Sequence, residues 1–312
     1  MISTAILCSG QGAQNSTMFA LLADAPSAEP VFQAAKRALG GKDPRDLVRQ
    51  ASNAAIHADL AGQILCCTQA MAAWAILGDT LTRPLLVAGY SVGELAAWGV
   101  AGLLDAAGVI TLAVARAGAM DAATREPSGL AAIRGLSRAR LEPICRAHGC
   151  FIAIVNAADQ MLVGGTKGML AEVLRDAVVA GAEHTTLLPV EVASHTPLLA
   201  AASAAFEREL ATAPLAPMPH GIRLLSGIDG APVFDVSAGA VKLAHQIQQT
   251  VDWAACMDAS RAGGITRIIE LGPGEALARM GRDTIPGVDA HSLAEFHSLA
   301  GFSAWANGTL SR

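Results

Sequence analysis

The chain has no run of about 20 uninterrupted apolar residues, the length a membrane-spanning helix requires. The long apolar stretch that follows residue 84 is cut by Glu94, Asp105 and Arg116. The amino terminus, residues 1–8, lacks the charged n-region and the length of a secretion signal and suits a first buried strand. No C-x-x-C spacing and no disulfide-scaffold density occur among Cys8, Cys66, Cys67, Cys145, Cys150 and Cys256. Reduced, cytoplasmic thiols that pack in a core are therefore expected. The histidines and cysteines also lack ligand spacing, so no metal site is expected. With 22 basic and 27 acidic side chains and a net charge of -5, there is no electrostatic footprint for nucleic acid. Long linkers, internal repeats and low-complexity segments are absent, apart from a general richness in alanine.

What is present is apolar. Of 312 residues, 52% are hydrophobic and 16% charged, enough to bury a large core in one domain or two. Short apolar runs alternate with longer helical ones, the pattern of an α/β fold with a mainly parallel sheet. Core strands are expected at 4–8, 85–88, 223–225 and 267–271, with helices at 61–77, 92–103, 105–122, 197–211, 238–249 and 253–262. Between residues 127 and 190 the order becomes β-α-β-β-α-β, the ferredoxin-like signature. The expectation is a small subdomain, 127–190, inserted into a larger α/β core formed by 1–126 and 191–312, with a ligand cleft between them.

Gly89-Tyr90-Ser91-Val92-Gly93-Glu94 fits the G-x-S-x-G nucleophile elbow. It lies between a short apolar run and an alanine-rich amphipathic stretch, where a strand ending in a sharp turn into a helix would expose Ser91 Oγ. Glycines on both sides let the chain bend without Cβ clashes, and the helix N-terminus offers free N–H groups to an oxyanion. Ser91-x-x-Glu94 is equally the spacing of a capping box, in which the serine only closes a helix end.

A nucleophilic serine needs a base. Seven histidines follow Ser91: His148, His184, His195, His220, His245, His291 and His297. His195 stands out because it ends a strand-like run just before Thr196-Pro197, an N-cap and N1 pair. The turn Gly10-Gln11-Gly12-Ala13-Gln14 can aim main-chain N–H groups into a cavity as a second oxyanion donor. It lacks the lysine of a P-loop and the third glycine of a dinucleotide fingerprint. Arg116 is the only charge in residues 106–119, and such an arginine binds an internal carboxylate, snorkels to water, or clamps a substrate carboxylate. Arg134, Arg138 and Arg140 form either a local basic patch or an ordinary solvated face.

Taken together, Gly10–Gln14, Gly89–Glu94, Arg116 in Val-Ala-Arg-Ala-Gly-Ala-Met120, His195 in Val-Ala-Ser-His195, and Glu270-Leu-Gly-Pro-Gly274 resemble the malonyl-CoA:acyl carrier protein transacylases in order and spacing. The resemblance implies an α/β-hydrolase-like core carrying a ferredoxin-like subdomain. It implies Ser91 as nucleophile, His195 as general base, and the backbone N–H groups of Gln11 and Val92 as oxyanion hole. Arg116 would grip the malonyl carboxylate, the backbone near Gln246 would orient His195, and Asn156 falls on a site-lining position. It further implies malonyl-CoA as substrate, no permanently bound cofactor, and an acyl carrier protein as partner. Where the family usually has a histidine and a proline, this chain has Tyr90 and Ser9. Both variants resemble the transacylase subunit of malonate decarboxylase systems, whose acceptor is a small carrier subunit with a CoA-derived prosthetic arm. A serine hydrolase with the same elbow, using Glu183 or Asp159 as its acid, and a non-catalytic carrier-docking subunit are the competing readings.

Overall fold

Both faces of the main sheet are covered, which is why its central strands at 4–8 and 85–89 read as short apolar runs. In the computed structural model, which describes residues 2–308, ten strands are formed among the described residues. They are β1 Thr4–Cys8, β2 Leu85–Gly89, β3 Ser128–Arg134, β4 Phe151–Ala157, β5 Gln160–Thr166, β6 His184–Leu187, β7 Ile222–Leu224, β8 Val251–Asp252, β9 Arg267–Leu271 and β10 Asp289–Ser292. The larger sheet runs β10-β9-β1-β2-β7 with every neighbouring pair parallel. Side chains alternate across it. Ile6, Cys8, Leu85, Val87, Ile269 and Leu271 point into one buried cluster with the Asp59–Leu77 and Gly93–Val100 helices. Ala5, Leu7, Leu86, Ala88 and Ile268 point into another with the Trp253–Ala262 helix.

The smaller sheet runs β6-β3-β5-β4-β8. From β3 to β6 the element order is β-α-β-β-α-β, as expected from the sequence, with helices Arg138–Ala147 and Lys167–Val179. Leu141, Cys145, Leu170 and Val173 from those helices share a core with Ala131, Ile133, Met161 and Val163 of the strands. On its other side, Leu130, Ala153 and Ile154 join the second cluster of the main sheet, so the two sheets are continuously packed.

Several expectations need correction. β8 comes from outside residues 127–190 and pairs in parallel with β4, at Ile154↔Val251 and Val155↔Asp252. Two residues are too short to leave a periodic trace. β10 was missed because an edge strand that alternates half-buried Asp289 and His291 with buried Ala290 and Ser292 carries no apolar run. The elbow helix is Gly93–Val100, not 92–103, and the helix before Gln246 spans Val236–His245. The Asp59–Leu77 and Ala106–Ala123 helices are long and apolar enough to cross a membrane by length and composition, although Asp59 and Gln63 in the first and Arg116 and Asp121 in the second interrupt the apolar run. Their composition is that of core helices: they pack on each other, and 72% of the apolar window of the first is buried. All six cysteines are free and buried.

Candidate active site

The elbow forms because β2 ends flush against β1. Tyr90 N–H donates to Cys8 O at 2.9 Å, and Ser91 then takes a left-handed φ of 55°, strain typical of a nucleophile turn. The flanking glycines serve close approach. A Cβ built on Gly93 would lie 2.1 Å from Cys8 O, and one on Gly89 2.2 Å from Gly93 backbone atoms. Gly93→Ala is therefore expected to destabilise the fold by about 1–3 kcal/mol or more, the range for overpacking. Urea unfolding checks this, and an unchanged midpoint would mean that the helix can lift from β1 at no cost.

The capping-box alternative is not realised. Val92 is the helix N-cap and receives no side-chain bond, while Ser91 Oγ lies 2.8 Å from His195 Nε2. His195 is buried, with φ 63°, and its backbone N–H donates to Ile247 O at 2.8 Å. Its Nδ1 sits 2.6 Å from Gln246 O. A carbonyl only accepts, so Nδ1 carries the proton and the Nε2 lone pair faces the serine hydroxyl. Thr196 is the N-cap of a short turn, Pro197–Leu199, but its hydroxyl donates to Ala193 O at 2.7 Å, bracing the histidine loop.

Burial and the neighbouring Arg116 lower the His195 pKa to about 3, against the opposing pull of the Gln246 carbonyl. The imidazole is thus a neutral base well below its ordinary value near 6.5. The rate of CoA release in a single turnover should therefore show no acid limb at about pH 6.5. Stopped-flow measurement from about pH 5 to 8 tests this; protonation of the base at its ordinary pKa would appear as a tenfold fall per unit below 6.5.

The acid expected of a hydrolase triad is missing from this position, because Gln246 O occupies it. Glu183 pairs with Arg134 at 3.4 Å on the surface, and Asp159 sits in the exposed β4–β5 turn. The other histidines are also engaged or exposed: His148 with Asp176, His245 with Glu207, His291 with Asp289 and Glu295. Among the described residues, the backbone N–H groups of Gln11 and Val92 are bonded to no protein acceptor, although Val92 is fully buried. Both are free to donate to an oxyanion.

Arg116 is 1% exposed. Its Nη1 donates to Gln63 Oε1 at 2.8 Å and its Nη2 to Gln246 Oε1 at 3.3 Å. Among the described residues no carboxylate lies within 4 Å of it. Gln63 is in turn tied to Asp59 at 2.8 Å, and Gln246 Nε2 donates to Ser91 O at 3.1 Å and to Glu94 Oε2. Burial pushes Glu94 up to about 7, against bonds from the Gly227 N–H and Gln246. Gln246 thus touches base, nucleophile, cation and buried acid at once. The sequence reading found its backbone role only. Gln63 and Glu94 were missed as site residues; the one available signal was a polar side chain inside an otherwise apolar helix.

Asn156 does not reach Ser91. Its Oδ1 accepts from the Tyr90 hydroxyl at 3.0 Å, so β4 is bonded to the elbow, and Tyr90 stacks edge-on against Trp253 at 5.4 Å. A cavity of about 770 Å3 opens between the small sheet and the main unit, from Arg138 and Ile152 to Pro197 and Gln248, but Ser91, Arg116 and His195 do not line it. Arg134 and Arg140 are engaged, the latter with Ala180 O, which weakens the case for a basic patch there. Among the described residues, no cluster of His, Cys, Asp and Glu could hold a metal ion.

A serine hydroxyl facing a histidine, beside backbone N–H groups that bond no protein acceptor, is the arrangement that acyl transfer through a serine requires. A model of the acyl transferase domain family matches residues 6–298, and the chain belongs to that family. It is 28% identical over 311 residues to the malonyl CoA-acyl carrier protein transacylase of Salmonella typhimurium, covering 96% of this chain and 98% of that protein. Over 297 residues it is 29% identical to the Mycobacterium bovis protein of the same name, covering 93% and 95%. Among solved structures, the acyl-carrier-protein S-malonyltransferase of Burkholderia pseudomallei superposes with a TM-score of 0.89 at 27% identity, covering 98% and 99% of the two chains. MCAT from Mycobacterium tuberculosis gives 0.89 at 29% identity, covering 97% and 99%.

Proposed function

We propose that this acyltransferase moves a malonyl group from malonyl-CoA to the prosthetic thiol of an acyl carrier protein through a malonyl-Ser91 intermediate. The observation that carries the malonyl assignment is Arg116, a buried cation beside the Ser–His pair whose acceptors are two neutral amides. A donor ending in a carboxylate supplies the missing counter-charge in a bidentate geometry.

In the proposed cycle Ser91 O–H gives its proton to His195 Nε2 as Oγ attacks the thioester carbonyl. The developing oxyanion is held by the N–H groups of Gln11 and Val92. The C–S bond then breaks, and CoA leaves as a thiol with the proton from His195. The carrier thiol attacks the malonyl ester by the same route, and Ser91 recovers its proton. No permanently bound cofactor takes part, and the protein works in the cytoplasm. Residues 1–126 and 191–312 are assigned to an α/β-hydrolase-like core, with 127–190 a ferredoxin-like subdomain; β8 crossing to β4 ties the two together. Tyr90 and Ser9 support placement in a malonate decarboxylase system, with the CoA-arm carrier subunit as acceptor.

Intact mass after incubation with malonyl-CoA, with no carrier present, tests the reading. One malonyl adduct per chain is the expected result. Release of CoA and malonate without an adduct would favour a hydrolase, and no reaction at all a carrier-docking subunit.

A further inference from the structure

Where β1 ends, the chain makes a tie that the mechanism above does not use. Ser9 N–H donates to Leu271 O at 2.9 Å, which extends the β1–β9 ladder by one residue. With its backbone already held, Ser9 also donates its hydroxyl to Glu270 Oε1 at 2.7 Å, in a fully buried bond. The second oxygen of Glu270 accepts from the Ala278 N–H at 2.7 Å, in the first turns of the Ala276–Thr284 helix. Gly272, at φ 119°, wraps this pair, and a Cβ there would sit 2.9 Å from Ser9 Cβ. The next residue, Gly10, is pressed on the elbow: a Cβ on it would lie 2.7 Å from Tyr90 O and 3.5 Å from Ser91 Cβ. Gln11 follows, with its free backbone N–H.

We propose that Ser9 and Glu270 are positioning residues that lock the Gly10–Gln11 turn, and with it the Gln11 oxyanion donor, at its height above Ser91. The inference rests on the acyl-transfer reading of Ser91 and Gln11. The tolerance at this turn is narrow. An oxyanion donor works only within a few tenths of an ångström of its target position, and a glycine-containing turn has too much freedom to hold that position alone. The Ser9–Glu270 bond fixes the Ser9 side chain to a helix terminus and so removes that freedom one residue before the turn. Burial pushes Glu270 up to about 7, against bonds from Ser9 and from the Ala278 and Leu277 N–H groups.

The test compares wild type, Ser9→Ala, Glu270→Leu and the double variant in single-turnover acylation by malonyl-CoA, read as CoA release and adduct mass. Each single variant should acylate about 10- to 100-fold more slowly, part of the hundredfold or more that one oxyanion donor supplies. The half-saturating malonyl-CoA concentration should stay within about twofold, because the turn holds the transition-state oxygen and not the ground-state donor. The double variant should be no slower than the slower single, since both remove one tie. Glu270→Leu keeps most of the side-chain volume, has no polar atom to bond Ser9, and keeps the test open where Ser9→Ala fails to fold. Rates within about twofold of wild type, losses that multiply in the double variant, or a change confined to half-saturation would overturn the proposal. An unacylated wild type would overturn the acyl-transfer reading and this inference together; an acylated wild type beside unimpaired variants would overturn this inference alone.

Discussion

Alanine in place of Ser91 is expected to remove the malonyl adduct completely and to lower transfer to a thiol acceptor by about 10³-fold or more, the scale seen when a covalent nucleophile is deleted. The loss should be this deep because no other nucleophile can substitute. The thiols nearest the site are Cys66, whose Sγ donates to Gly10 O at 3.4 Å, and Cys67 behind Val92. Both are fully buried, and burial raises their pKa values, that of Cys67 to about 12. They remain protonated and unreactive at neutral pH. Removing Oγ leaves His195 anchored through Nδ1 to Gln246 O and leaves both backbone donors in place. Substrate binding should therefore survive, within about twofold by calorimetry, while chemistry fails. An adduct persisting on Ser91→Ala would place the nucleophile elsewhere and sink the assignment of the elbow.

The parts of this molecule that were legible in the sequence are those where one local rule decides the outcome. β1 and β2 are apolar runs buried on both faces, and they fall where the pattern put them, as does β9 although it carries Arg267 and Glu270. Ser91 and His195 were found because each ends a strand-like run at a turn. Their contact at 2.8 Å across 104 residues of chain is a product of the fold, and no spacing rule states it. Ordered motifs supplied the partnership instead. Gln63 and Glu94 escaped because what makes them part of the site is burial beside Arg116 and Gln246, and a glutamine in a helix or a glutamate after a serine looks locally like solvated surface or a cap. β8 escaped because two residues have no period. The Asp59–Leu77 helix is apolar almost all round because it is enclosed, and composition alone does not tell enclosure by protein from enclosure by lipid.

Arg116→Ala should reverse donor preference, losing malonyl transfer by about 10²-fold or more while retaining or gaining acetyl transfer. Breaking one side of a buried, hydrogen-bonded charge pair costs about 2–5 kcal/mol, which at 1.4 kcal/mol per factor of ten is about 30- to 4,000-fold. The guanidinium has five N–H donors, of which Gln63 and Gln246 take two. On the proposed reading the other three N–H donors serve the substrate carboxylate, and the two amides orient the guanidinium. Acetyl-CoA offers no carboxylate, so in the wild type it leaves a buried cation without a counter-charge; alanine removes that penalty. Arg116→Lys should fall between, because it keeps the charge but loses the bidentate geometry. The ratio of malonyl to acetyl rates is the decisive quantity, since absolute rates carry a second effect. Arg116 helps to hold the His195 pKa down, and its removal should move the acid limb of acylation to higher pH for both donors alike. A loss of equal size with malonyl-CoA and acetyl-CoA, measured above that limb, would show that Arg116 serves the base and the core rather than the substrate carboxylate.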